Sequence, residues 1–204
     1  AQLFLGYFVV GFSGAKDCVP PNLKAFAFKA FAISSSLRIF SAGILDLAKQ
    51  VANGELDYYL ALPKNVLWHV SVSKTRVSAI GDLIFGIFLF FFSGNISLDR
   101  TILFFAVSIS SALILYSAVV IVQSMAFFFG NFEEAAEVWF FALIGTTLYP
   151  QSVYHGFLKI LLYFIIPAFF VAGLPVSIIQ NFSLLNLGIL MMVAVISLIA
   201  ASSI

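Results

Sequence analysis

The sequence predicts an all-α membrane protein with about six transmembrane helices, and three properties of its composition point to that class. Of its 204 residues, 62% are hydrophobic and only 9% are charged. Its mean hydropathy is +1.11. A soluble domain has roughly a quarter of its residues charged, so this chain has too few charged side chains to cover a water-soluble fold. We therefore treat residues 1–204 as a single transmembrane domain in a lipid bilayer.

The few charged residues also limit the partners. Ten Lys and Arg against nine Asp and Glu give a formal net charge of +1. Nucleic-acid binding requires clustered Lys and Arg, which this chain lacks, so we expect no such partner. Cys18 is the only cysteine, which excludes an internal disulfide and a thiolate metal cluster.

Individual spans follow from the length of the apolar runs. A hydrocarbon core about 30 Å thick is crossed by about 20 residues of helix. Four runs approach or exceed this length: 77–92, 101–129, 138–149 with its flanks, and 184–201. A fifth run, 25–47, contains Lys29, Arg38 and Asp46, so it should face other helices or water along one side. The run 3–12 resembles part of another span, and the last apolar run continues almost to Ile204. Both ends of the chain therefore look incomplete.

The apolar stretch 157–179 is predicted to differ from an ordinary span. It contains Pro167 and Pro175, and each proline removes a backbone donor and disrupts the preceding helical turn. Non-helical backbone at membrane depth must be buried in protein or line a cavity. We therefore predict two short half-helices within 150–180, either as a re-entrant element or as an external cap.

Basic residues indicate the orientation of the spans. The segment 46–76 contains Lys49, Lys64, Lys74 and Arg76, and short basic loops stay in the cytosol. Alternation then places 93–100 outside and 130–137 inside, the segment from Tyr149 to the last span outside, and the C-terminus inside. Lys16 and Lys24 would fall outside, which leaves the topology of the N-terminal region open.

A polar interruption at 53–64 within the cytosolic segment is predicted to form a short helix. Asn53 is a candidate N-cap, Glu55 and Asp57 lie in the first turn where carboxylates complement the helix dipole, and Pro63 ends the helix.

One face of this short helix is apolar, with Leu56, Tyr59 and Leu60 on the same side. A helix of two turns is too short to be stable alone, so this face must pack on something. The sequence leaves open whether it packs on the ends of the protein's own helices or on a cytosolic partner.

Three groups of residues give the chain a resemblance to a known family. They are, in order, Gly54-Glu55-Leu56-Asp57 followed by Leu60 and Pro63; Gly81-Asp82-Leu83 with Gly86; and Tyr149-Pro150 followed by Pro167. Their order and spacing resemble those of the permease subunits of type-2 ABC exporters, over about residues 40–179.

That resemblance implies a six-span permease of a cell membrane, typically the prokaryotic cytoplasmic membrane. It also implies that this permease forms a translocation pathway with a second permease, which is either the same chain or a paralogue. It also implies that 53–64 is a cytosolic coupling helix that docks on a separate ATPase subunit. The coupling residues carried over are Gly54, Glu55, Leu56, Asp57, Tyr59, Leu60 and Pro63. No Gly-rich phosphate-binding loop occurs in the sequence, so ATP and Mg²⁺ would be bound by the partner, with no cofactor in this chain.

Other polar and aromatic positions have a functional and a structural interpretation. Asp82 lies in an apolar span, where an ionisable side chain is costly and often functional; it also lies about one and a half turns from Arg76 and could pair with a basic residue near the interface. Tyr149, Pro150 and Pro167 are candidates for the pathway or for its structure. Glu133, Glu134 and Glu137 follow a loop, and a role at the start of a helix is favoured over contact with a partner.

Enzymatic interpretations fit the residues poorly. Ser13, in Gly11-Phe12-Ser13-Gly14, matches a motif of rhomboid proteases, but it lies near the start of the chain and His155 lies in a segment predicted to be outside. The pair Glu133-Glu134 resembles that of a prenyl-protease family, but the arginine expected shortly after it is missing. His69 and His155 are predicted on opposite sides of the membrane, so no shared metal site is expected.

We therefore expect a transporter subunit rather than an enzyme. Two alternatives remain open: a substrate-binding membrane subunit of an uptake system, and an intramembrane protease. The apolar and small residues of the spans suit lipids, hydrophobic peptides or drugs equally, so the substrate stays undetermined.

Overall fold

The computed structural model describes residues 42–63, 65–74, 84, 87, 97–130, 132–148, 156 and 167–203. Within these ranges the regular structure is entirely helical, in agreement with the predicted all-α class. The predicted span 3–12, most of the spans 25–47 and 77–92, and the candidates Asp82, Tyr149 and Pro150 lie outside the described residues.

The described residues between 42 and 72 form four short helices, the first in the predicted span 25–47 and the other three in the predicted cytosolic segment. These are α1 (Ala42–Leu45), α2 (Leu47–Ala52), α3 (Leu56–Leu60) and α4 (Val66–Val72). Asn65 caps α4 by accepting a hydrogen bond from the Trp68 backbone N–H at 3.4 Å. α1 and α4 approach so closely that a Cβ atom on Gly43 would lie 1.9 Å from the carbonyl oxygen of Val70.

The prediction that Asn53 begins the short helix is wrong. Asn53 is the C-terminal cap of α2, and its N–H donates to the carbonyl oxygen of Lys49 at 3.0 Å. Gly54 follows with φ of 72°, the left-handed conformation with which many helices end. α3 begins only after Glu55, which makes no side-chain capping bond.

The centre of the described fold is a long helix, α5 (Leu98–Ser124), of 27 residues. At 1.5 Å per residue it is about 40 Å long, which exceeds the hydrocarbon core, as the sequence predicted. After a turn at Met125, α6 (Ala126–Phe129) continues the chain. α7 (Glu133–Leu148) follows, with Glu133 and Glu134 in its first turn, where their charges complement the helix dipole.

The C-terminal part packs against α5. A π-helix (Phe169–Gly173) runs directly into α8 (Leu174–Gln180), and a short connection leads to α9 (Leu184–Ser202). Pro175 lies in the first turn of α8, where its missing N–H is tolerated. The Ser111 hydroxyl, near the middle of α5, donates to the carbonyl oxygen of Val171. The π-helix therefore packs against the middle of α5, and the choice between a re-entrant element and an external cap stays open.

Two helices of the described part are long and apolar enough to cross a membrane, Thr101–Phe129 and Leu184–Ser202. α9 contacts α5 most extensively and buries Leu190, Ala194 and Ala201 against the core. Most of its other large apolar side chains are exposed. Because water would disfavour such a surface, it suits contact with lipid or with another helix.

Candidate functional site

The short helix α3 is held against the chain's own helices by one buried side chain. Leu56 is only 4% exposed and packs with Leu47 of α2 and Val70 of α4. Tyr59 is half-buried at the edge of this cluster, and its ring meets that of His69 edge-on at 5.5 Å. Of the two alternatives left by the sequence, packing on the protein's own helices is therefore the one observed for Leu56 and Tyr59.

The exposed side chains of α3 and its flanks form a surface that we call the α3 outer face. Its members are Glu55, Asp57, Tyr58, Leu60 and Pro63. Tyr58 is 68% exposed and Leu60 is 59% exposed. The face thus combines two carboxylates with an aromatic and an aliphatic side chain on a helix whose inner side is fixed.

Tyr58 is a surface residue that the sequence prediction missed. Leu56, Tyr59 and Leu60 were assigned to one face from helical spacing, but only Leu56 and Tyr59 pack in the buried cluster, while Tyr58 and Leu60 are both exposed. The available signal was the doublet Tyr58-Tyr59, since neighbouring helical residues point in different directions. Gly54, also a predicted coupling residue, supplies the positive φ that separates α2 from α3.

The two loops predicted to be cytosolic lie side by side. Lys49 of α2 and Glu133 of α7 form an ion pair with the Lys49 Nζ and Glu133 Oε1 atoms 3.5 Å apart. A second pair joins Lys74 Nζ and Asp46 Oδ2 at 3.3 Å. The side chains of the first pair are 55% and 40% exposed, so that pair contributes little stability, but its geometry places α2 beside the start of α7.

A buried amide connects the same segment to α5. α1 ends and α2 begins around Asp46, and the break leaves backbone groups without helical partners. Gln123, near the end of α5 and 4% exposed, accepts a hydrogen bond from the Ala48 N–H at 2.9 Å. Its side-chain nitrogen donates to the Leu45 carbonyl oxygen at 2.8 Å. The sequence prediction did not identify Gln123.

A second polar contact joins α4 to α5. The hydroxyl groups of Ser71 and Tyr116 lie 2.9 Å apart, within hydrogen-bonding distance. Ser71 is buried and Tyr116 is half-buried. The helices on both sides of α3 are therefore hydrogen-bonded to α5, α2 through Gln123 and α4 through Tyr116.

The remaining predicted positions are only partly described. Pro167 is half-buried, and its carbonyl oxygen accepts a hydrogen bond from the Val171 N–H at 3.0 Å. Its assignment to the pathway stays a prediction, as do those of Asp82, Tyr149 and Pro150. Ser13 and His155, on which the protease alternative rests, lie outside the described residues. Within the described ranges, no group of three or more His, Cys, Asp or Glu side chains could hold a metal ion.

Comparison with known proteins gives one match. The model of a family described as "ABC-2 family transporter protein" matches residues 22–204. No curated protein and no solved structure matches the chain. The matched range includes α1 to α9 and the α3 outer face.

Proposed function

The chain belongs to the ABC-2 transporter family, and we propose that it is the permease subunit of an exporter whose ATPase is a separate chain. In this proposal the α3 outer face docks on the ATPase, and two permease chains enclose the translocation pathway.

The placement of α3 is the observation that supports this proposal most. A helix that transmits force needs a fixed inner side and an accessible outer side. Leu56 anchors the inner side between α2 and α4, while Tyr58 and Leu60 leave apolar and aromatic surface exposed next to two carboxylates. Aromatic and aliphatic side chains that fill a partner's pocket commonly provide most of the binding free energy of an interface.

The proposed mechanism is transmission of a rigid-body movement. Closure of the ATPase subunits around nucleotide would displace α3 together with α2 and α4, because these helices share one buried cluster. Movement of this unit would tilt the spans attached to it and favour the conformation that is open to the outside.

The test replaces exposed residues only, so that the fold is preserved. Tyr58→Asp combined with Leu60→Asp should weaken co-purification of the ATPase and lower ATP hydrolysis by the purified complex. A loss of binding of at least about 30-fold, or roughly 2 kcal/mol, is expected if either side chain is a major contact. The matched control is Leu98→Asp, because Leu98 is 77% exposed at the start of α5, on the side predicted to be outside.

Two results would contradict the proposal. Undiminished binding and hydrolysis in the Tyr58→Asp/Leu60→Asp variant would exclude the α3 outer face as the docking surface. An equal loss in the Leu98→Asp control would show that the effect is not local to α3.

The uptake alternative makes a different prediction about association. A substrate-binding subunit without a coupling helix of its own would need a bridging membrane protein in order to hold an ATPase. Chemical cross-linking of the purified complex separates the two, because an exporter permease should give direct cross-links from residues 53–63 to the ATPase.

A further inference from the structure

Two side chains of α5 hold the helices that flank α3. Gln123 bonds to α2 and the break before it, and Tyr116 bonds to Ser71 of α4. The two α5 residues are seven positions apart, which is two helical turns, so they lie on the same side of the helix. The unit α2–α3–α4 is thus attached to one stripe of α5 at two heights.

We propose that Gln123 and Tyr116 are positioning residues that pass the movement of the α2–α3–α4 unit to α5, an inference that rests on the proposed function. α5 would then be the first span driven by the ATPase. Each of the two acts through a helix that flanks α3.

The side-chain amide of Gln123 is suited to hold α5 against the break between α1 and α2. Its amide supplies one acceptor and one donor, and each meets a backbone group at the break between α1 and α2, the Ala48 N–H and the Leu45 carbonyl oxygen. Replacing Gln123 by a side chain that cannot form these bonds would leave both backbone groups without this partner, and an unsatisfied buried backbone group is costly. The exposed Lys49–Glu133 pair, in contrast, is free to separate in water.

A matched control exists on the same segment. Gln50 is also buried, at 1% exposed, and its side-chain nitrogen lies 3.5 Å from the Gly43 carbonyl oxygen. Among the described residues its Oε1 atom has no hydrogen-bond partner. Gln50→Leu therefore removes the same amide at a similar depth, and none of the bonds found for Gln50 joins it to α5.

The first measurement is hydrogen exchange of the intact complex in lipid nanodiscs. Gln123→Leu should speed exchange of the Ala48 amide about three- to tenfold, the factor expected for one lost hydrogen bond. Gln123→Glu keeps an acceptor for that amide and should preserve more of the protection. Gln50→Leu should leave it unchanged. Unaltered exchange at Ala48 in Gln123→Leu would overturn the attachment itself.

The second measurement uses ATP with vanadate to trap the closed ATPase. In the unaltered complex, trapping should change exchange both in 53–63 and in the second half of α5. In the double variant Gln123→Leu/Tyr116→Phe, trapping should still change hydrogen exchange in 53–63 but should no longer change it in α5. A retained α5 response in this variant would overturn the transmission role.

These outcomes are separable from the fate of the proposed function. If no ATPase accompanies the unaltered protein, the proposed function and the transmission role both fail. The exchange of Ala48 in the purified chain then still decides whether Gln123 makes the attachment, because that measurement requires no nucleotide and no partner.

Discussion

Replacing Gly43 by alanine tests the close contact between α1 and α4. The new Cβ would lie 1.9 Å from the Val70 carbonyl oxygen and 2.7 Å from Ser73 Oγ. The Ser73 hydroxyl can rotate, but the Val70 carbonyl is backbone, so α1 or α4 must move by about 1.1 Å to restore even a 3.0 Å separation. Such overpacking costs about 1–3 kcal/mol.

A gain in helix propensity partly offsets this cost. Alanine is better than glycine within a helix by about 1 kcal/mol, so the net destabilisation expected for Gly43→Ala is about 0–2 kcal/mol. For a chain of this size, that lowers the unfolding midpoint by up to roughly 8 °C. Displacement of α4 should also weaken the contact between Ser71 and Tyr116.

The assay is thermal unfolding of the purified protein in detergent, with Gly188→Ala as the control. Gly188 lies within α9, and no described atom lies within 4 Å of a Cβ placed there. Its replacement should leave the midpoint unchanged or raise it slightly. If Gly43→Ala proved as stable as Gly188→Ala, the close approach of α1 and α4 would be refuted.

Two further predictions concern buried contacts. Leu56→Ala should destabilise the protein by about 2–5 kcal/mol, because it removes most of a buried side chain from the cluster beneath α3. Leu60→Ala is the control and should change the free energy of unfolding by less than about 0.5 kcal/mol. Similar unfolding midpoints for the two variants would contradict the inward placement of Leu56. Ser111→Ala should cost about 1–3 kcal/mol, because it leaves the buried Val171 carbonyl without this donor. Ser117→Ala, which loses only a bond within α5, is the comparison, and denaturation should show the larger loss for Ser111.

Two of the long apolar runs predicted helices correctly. The runs 101–129 and 184–201 correspond to α5 with α6 and to α9, because a segment that is apolar on all sides has few alternatives to a helix in lipid. The family resemblance was likewise confirmed over residues 22–204. The number of spans stays a prediction.

The short helix α3 was harder to predict in detail. Asn53 and Gly54 are typical of a helix end, and in the structure they end α2. When they are considered only with the residues that follow them, they also resemble the start of a helix. The spacing of Leu56, Tyr59 and Leu60 also left open which of them packs inward. A helix of five residues is too short for its periodicity to determine this, and tertiary packing determines it instead.

Gln123 could not have been found from the sequence. Its partners are backbone atoms of Leu45 and Ala48, 78 and 75 positions away, and backbone groups have no sequence signature. A lone glutamine near the end of an apolar span has many possible partners, so only the packing of α1 and α2 on α5 identifies them.

Photo-cross-linking in native membranes tests the central claim most directly. A photoreactive amino acid in place of Leu60, with the same replacement of Leu98 as the comparison, would be activated and the captured proteins identified by mass spectrometry. We expect position 60 to capture a protein with an ATP-binding phosphate loop and position 98 not to capture it. Capture of no such protein at position 60, or equal capture at both positions, would contradict the assignment of the α3 outer face as the ATPase contact of this transporter subunit.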